Sequence, residues 1–412
     1  MISKLNFLKN IFLTLALTLL FACIIYYLFP KILYSYFIFP IHKNNQIYLF
    51  GDWSVIIAAI KCKLLNYNVF LNNPCDVIGR KHVYGSVLLH IPYFSNFDDF
   101  YFIYFPFLIN FIFLFVIISH FNLKSFRELL VCAVFVFNPI TLLIMERLNF
   151  DIFVFLILLF LCKLKKNILN LIFIIFLSLS KFYPLIVSII FLLNKEKLKK
   201  KLFYFFLALF VIFYFLYLDK NNLKIILGNI DQFSADYQWA FNFFALSKIP
   251  ILLNMFSKNI LIVFSILLSF SFFLIGIWFT RINLIVKQIS QSDYILCYEE
   301  VFFILSASIL IFTYFIFNNW IYREVFIFGM IPLCLKNNNQ SYLFKSLYNL
   351  IFFKLFFFSI TSYFSIFYKN DFLLILYQIM NICFISFVFG LIVIFCTFFI
   401  KNNILTRSKK II

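Results

Sequence analysis

Continuous apolar runs separated by short polar breaks organise this chain from end to end. The runs do not alternate polar and apolar positions, so they predict membrane-spanning helices and not barrel strands. We allow about 20 residues per crossing and set Lys/Arg-rich loops on the cytoplasmic side. The pattern then predicts a first span over about 10–29 and a long external segment over 30–98. Spans follow over about 99–121, 126–145 and 150–162, with a polar island, Glu146-Arg147-Leu148-Asn149-Phe150-Asp151, on the outer side between the last two. Basic loops flank residues 167–193, with Lys163, Lys165 and Lys166 before them and Lys195, Lys197, Lys199, Lys200 and Lys201 after. Both ends then face the cytoplasm, yet about 27 residues are too few for two full crossings, which need about 40. A hairpin of two short helices is expected, with Lys181-Phe182-Tyr183-Pro184 at its tip, where Pro184 interrupts helical hydrogen bonding. A single crossing is the alternative, and it strands one basic cluster outside.

Further spans are expected over about 202–218, 257–280 and 295–317, with a second external segment over 219–255. A shorter one ends at Lys336, and two long ones, about 343–367 and 372–400, are almost featureless apart from Lys354. About twelve membrane segments return the C-terminus to the cytoplasmic side, and bases then outnumber acids inside. Trp53, Trp239 and Trp320 fall at the outer interface, which suits amphipathic rings. The expected fold class is an all-α integral membrane protein forming one transmembrane domain over 1–412. Interfacial helices are expected in the first external loop, where the apolar run Val55–Leu65 can lie along the membrane surface.

Composition agrees with this class: 65% of the 412 residues are hydrophobic and 12% charged, against about 45–50% apolar in ordinary soluble chains. The net charge of +19 raises nucleic-acid binding as an option. The bases are scattered through short inter-span loops as topology signals, so no nucleic-acid partner is expected. The nine cysteines are dispersed, mostly within spans, where a thiol is a small hydrophobe. Only Cys62 and Cys75 share an external loop, and a disulfide between them stays open. The N-terminal apolar run continues past Cys23 to Phe29, which favours an uncleaved span over a signal peptide. Inverted repeats and paired broken helices are not evident, which weakens a secondary-transporter reading.

Candidate chemistry gathers on the outer side. Asp52 follows the first span in Phe50-Gly51-Asp52-Trp53-Ser54. It either caps the helix that follows or serves as a general base at the membrane face. In the island, Arg147 either pairs with Glu146 or Asp151 or meets a phosphate, with Asn149 and Asp151 lining a cavity. Lys181 at the hairpin tip needs an anion, either a structural partner such as Asp151 or an anionic ligand. Tyr322-Arg323-Glu324 either anchors at the interface or offers Arg323 for bidentate phosphate contact. His42, His82 and His90 are too scattered for a metal site.

The order of these features resembles the multi-spanning GT-C glycosyltransferases, specifically the polyprenol-phosphate-mannose-dependent family 87. The match rests on Glu146-Arg147-Leu148-Asn149-Phe150-Asp151, an apolar span, a basic turn, and Ser180-Lys181-Phe182-Tyr183-Pro184. In the family that block commonly reads Gly-Asn-x-Asp and then Lys-x-x-Pro. Asp52 matches the catalytic-base position, and Asn318 to Arg323 is similar to a late Tyr-Arg element. Two departures stand out: Leu148 replaces a usual Gly, and Tyr84-Gly85-Ser86 stands where an aromatic-Pro-Pro element is expected. The resemblance implies a GT-C-type helical bundle in the plasma (inner) membrane. It also implies an inverting hexosyltransferase, with mannose the expected sugar. The donor is a polyprenyl-phosphate-linked sugar, the acceptor a lipid or glycan, and neither a metal nor another cofactor is called for. Asp52 takes the role of base, Lys181, Arg323 and Arg147 hold the donor phosphate, and Asn149, Asp151, Tyr183 and Tyr322 line the cavity. A lipid-linked glycan flippase and a surface-glycan polymerase or ligase are the competing classes.

Overall fold

The computed structural model describes residues 4–23, 41–43, 46–121, 132–136, 138–164, 166–194, 196–232, 241–282, 296–316, 321–337, 341–368 and 371–408. Tyr237, Trp239, Asn318, Asn319, Trp320 and residues 24–29 of the expected first span lie outside the described residues. The fold is helical, with one small antiparallel ribbon pairing Ile41–Lys43 with Gln46–Tyr48. Among the described residues, five helices are long and apolar enough to cross a membrane, the pattern of a multi-pass membrane protein: Phe100–His120, Leu198–Leu218, Lys258–Ile282, Tyr298–Ile316 and Asp371–Thr397.

The chain divides into two compact units. The first contains α1 (Lys4–Cys23), α2 (Gly51–Leu64), α3 (Phe105–His120), α4 (Pro139–Arg147), α5 (Asp151–Lys163) and α6 (Asn167–Lys181). After the apolar α7 (Leu198–Leu218), the polar-faced α8 (Lys220–Gln232) returns to it. The second unit contains α9 (Lys258–Ile282), α10 (Tyr298–Ile316), a 3-10 helix over Ile321–Met330, α11 (Tyr342–Tyr368) and α12 (Asp371–Ser408).

Several expected elements take a different form. Helix α2 does not lie on lipid, because Val55 to Ile60 are all buried in succession. An interfacial helix keeps a wet face, whereas unbroken burial around the helix means protein on every side. Each fully enclosed Ile among Ile56, Ile57 and Ile60 contributes about 1.5–3 kcal/mol of burial. The expected span over 126–145 is interrupted, since the Asn138 side chain accepts from the Ile140 N–H at 2.9 Å and Pro139 starts a new helix. Helix α4 has nine residues and α5 thirteen, both short of the roughly 20 that a crossing needs. The island therefore joins two short helices and not two full spans.

Helices α5 and α6 run antiparallel: Phe160 and Phe173 meet at 5.5 Å near one end, and Asp151 meets Lys181 at the other. The break expected near Pro184 occurs at Phe182, whose φ of 61° ends α6. In the second unit, α9 and α12 pack so closely that a Cβ on Gly276 or Gly390 would sit 2.3 or 2.2 Å from a carbonyl oxygen of the other helix. Small residues permit such helix approach within a membrane, and Ser269 and Ser386 share a 2.8 Å hydrogen bond across the same seam.

Candidate functional site

Three backbone reversals gather the polar residues of the first unit. At Phe50 (φ 55°, ψ 43°) the chain enters α2, and the Phe50 N–H bonds the Glu146 carbonyl at 2.9 Å. This tie sets Asp52, in the first turn of α2, against the island. At Leu148 (φ 40°, ψ 55°) helix α4 ends, with the Asn149 N–H reaching back to the Ile144 carbonyl at 3.1 Å. That is the helix-ending position where glycine is favoured because it lacks a Cβ. Leu148 holds it with its side chain fully buried, which accounts physically for the glycine of the resembled pattern. At Phe182 the chain turns between Lys181 and Tyr183.

Asn149 is the hub. Its Oδ1 accepts from the Asp151 N–H at 3.0 Å, capping α5. The same oxygen accepts from Lys181 Nζ at 2.7 Å, while its Nδ2 donates to Asp52 Oδ2 at 2.6 Å. Two donors on one side and a carboxylate on the other fix the orientation of the amide. Lys181 Nζ also donates to Asp151 Oδ1 at 2.5 Å, and the Tyr183 hydroxyl donates to that same oxygen at 2.6 Å. Arg147 lies 3.7 Å from Asp52 Oδ1 and 3.4 Å from Glu146 Oε2. Asp52, Arg147, Asn149, Lys181, Asp151 and Tyr183 thus form one connected chain, in which the link from Asn149 to Asp52 spans 97 residues of sequence.

The loop after α2 closes over this chain. The Tyr84 ring lies 5.5 Å from Lys181 Nζ, a cation–π contact. The Gly85 N–H bonds the Ser180 carbonyl at 2.9 Å, and a Cβ at Gly85 would stand 1.6 Å from the Leu179 carbonyl oxygen. Tyr84-Gly85-Ser86 therefore docks on the end of α6, and Ser86 bonds Asp219 at 2.6 Å. Cys62 and Cys75 form a disulfide that ties α2 to the same loop. His82 is fully buried there, and desolvation drops its pKa to about 4, so it is neutral and structural.

Of the two partners weighed for Lys181, Asp151 is the one the structure places against it, as an ion pair. The Asp52 carboxylate faces Asn149 and Arg147, a tertiary role beyond any helix-end benefit. Tyr322 and Arg323 belong to the second unit, on the 3-10 helix, with Tyr322 buried and Arg323 half-buried. Among the described residues, no three His, Cys, Asp or Glu side chains are grouped to hold a metal ion.

Glu146, one of the two pairing partners weighed for Arg147, lies 3.4 Å from it and is fully buried. Sequence reasoning missed two roles: Tyr84 meets Lys181, and Gly85 permits the loop contact. An isolated glycine beside an aromatic was the one signal for both. The last helices are also not featureless. Lys354 of α11 lies 2.6 Å from Glu324 Oε2 with both side chains fully buried, and Tyr377 of α12 donates to Glu324 Oε1. Comparison with known protein families, curated proteins and solved structures finds no match for this chain.

Proposed function

We propose that this chain is a membrane glycosyltransferase that moves a hexose, mannose in the first instance, from a polyprenyl-phosphate donor to a lipid or glycan acceptor. The observation that carries this reading is the connected chain of Asp52, Asn149, Lys181 and Asp151. It joins the carboxylate after the first apolar helix to both halves of the block that resembles family 87. In this reading the protein sits in the plasma (inner) membrane with about twelve membrane segments. Its termini are cytoplasmic and the site is extracytoplasmic, with the short α4–α5 and α6 elements flanking it.

Asn149 holds Asp52 Oδ2, which leaves Oδ1, 3.7 Å from Arg147, to take the acceptor proton. The acceptor oxygen attacks the anomeric carbon as the carbon–oxygen bond to phosphate breaks, so the configuration inverts and polyprenyl phosphate leaves. Arg147 and Lys181 are the cations of the first unit available to the departing phosphate, where preorganised charge is most effective. Asp151 and Tyr183 hold the Lys181 ammonium in place for that contact. No metal or other cofactor enters this reading.

The test compares wild type with Asp52→Asn in membranes supplied with polyprenyl-phosphate-mannose and an acceptor pool. Loss of a general base costs about 10²–10⁴-fold, so transfer by the variant should fall by at least about 100-fold. Equal transfer by both proteins removes Asp52 as the base, and activity with a nucleotide sugar instead removes the donor assignment. A flippase is the second reading, favoured by the buried Glu324–Lys354 pair, since charge at membrane depth often marks a transport path. It predicts movement of a lipid-linked glycan across the bilayer with no new glycosidic bond. A surface-glycan polymerase or ligase keeps the same phosphate logic with a larger donor.

A further inference from the structure

Glu146 is the one acid of the island that the proposed reaction leaves without a task. Its side chain is 2% exposed, and neither carboxyl oxygen has a hydrogen-bond partner. An ionised carboxylate in that setting pays a large desolvation cost. The charged groups facing it come from three elements: Arg147 on its own helix, Asp52 on α2 and Arg80 from the loop after α2. Arg147 is the nearest, at 3.4 Å, and lies 3.7 Å from Asp52 on its other side. One guanidinium is therefore shared between two acids, one enclosed and one partly exposed.

We propose that Glu146 is the positioning residue of this site: its proton decides whether Arg147 serves Asp52 or is withdrawn from it. With Glu146 neutral, Asp52 is the formal anion nearest Arg147 on that side, and the guanidinium stays at the reacting edge. With Glu146 ionised, a full negative charge 3.4 Å away competes for Arg147, and a second anion faces Asp52. Burial lifts the Glu146 carboxyl to about 8, with Arg147 opposing and Asp52 assisting the rise, so the exchange falls in the mildly alkaline range. This inference rests on Asp52 as the base of the proposed transfer.

The experiment has two arms on the full-length protein. In the first, sugar transfer from polyprenyl-phosphate-mannose is followed against pH for wild type, Glu146→Gln and Glu146→Asp. Wild-type kcat/KM should fall about tenfold per pH unit beyond the Glu146 ionisation. The limb should vanish in Glu146→Gln, whatever that variant's rate, and persist in Glu146→Asp. A limb unchanged in Glu146→Gln overturns the proposal. In the second arm, infrared pH-difference spectra of the purified protein follow the protonated-carboxyl band. The band should titrate in the alkaline range in wild type, be missing in Glu146→Gln, and move to higher pH in Arg147→Gln. A midpoint indifferent to Arg147→Gln overturns the positioning role. A wild type that transfers no sugar yet shows the Arg147-dependent band removes the glycosyltransferase reading while supporting Glu146 as the group that holds Arg147.

Discussion

Replacing Lys354 by Met isolates the polar cluster of the second unit. Lys354 comes from α11, Glu324 from the 3-10 helix and Tyr377 from α12, so three elements converge on one carboxylate. The Lys354 Nζ–Glu324 Oε2 separation is 2.6 Å, a close ion pair with both side chains fully buried. Nζ also stands 5.6 Å from the ring centres of Tyr377 and Phe384. Lys354→Met nearly conserves side-chain volume and leaves Glu324 buried with only the Tyr377 hydroxyl of this set. Removing one partner of a buried pair costs about 3–5 kcal/mol, because the remaining charge is uncompensated. Removing both is far cheaper. Lys354→Met with Glu324→Gln keeps an acceptor for Tyr377 and should lie within about 1 kcal/mol of wild type. With each single loss at about 3–5 kcal/mol, the coupling between the sites is then at least about 5 kcal/mol. Reversible unfolding of the detergent-solubilised protein, measured for wild type, both single variants and the double, gives that number directly. Additive single-variant losses, or a Lys354→Met loss below about 1 kcal/mol, would refute the reasoning.

Two further substitutions test the first unit. Gly85→Ala places a methyl 1.6 Å from the Leu179 carbonyl oxygen. Backbone on both sides has little room to yield, so a loss of about 1–3 kcal/mol is expected. It should appear as a lower unfolding temperature, and an unchanged one would mean that the loop does not dock there. Glu146→Gln tests linkage. Burial raises the folded-state carboxyl from 4.5 to about 8, so the folded state keeps a proton that the unfolded state releases. Wild type therefore loses stability relative to the variant as pH rises from about 4.5 to about 8, by up to about 1.4 kcal/mol per pH unit, and the difference is constant above that. Unfolding temperatures of the two proteins across this window should diverge, and parallel curves would contradict the buried carboxyl.

What the sequence made legible depended on how local the signal was. The helix break beside Lys181 was readable because basic residues on both sides of 167–193 leave too little length for two full crossings. The burial of α2 was not, because an apolar run looks the same whether lipid or protein covers it. The hub at Asn149 was legible as polar residues out of place. Its link to Asp52, 97 residues earlier, is a tertiary contact that no local pattern encodes. Lys354 stood out as a lone charge in an apolar helix, but its partner Glu324 had been taken with Arg323 as an outer-face element.

The reversals at Phe50, Leu148 and Phe182 were the least legible of all, since Phe and Leu are not turn residues. Each L-residue held at positive φ costs about 1–2 kcal/mol, so glycine would be the economical choice for the backbone alone. Burial opposes that choice: Phe50 and Leu148 are completely enclosed, and each recovers about 1.5–3 kcal/mol that glycine would forfeit. The strain is thus held by packing at the points that aim Asp52, Asn149 and Lys181 at one another. Three of the four non-glycine residues with positive φ among those described stand within two positions of a residue in the polar chain. Strain of this kind persists where surrounding structure over-determines it, and it clusters at functional sites. Leu148 in the glycine position is therefore the same device built from a different residue, with enclosed apolar surface offsetting the conformational penalty.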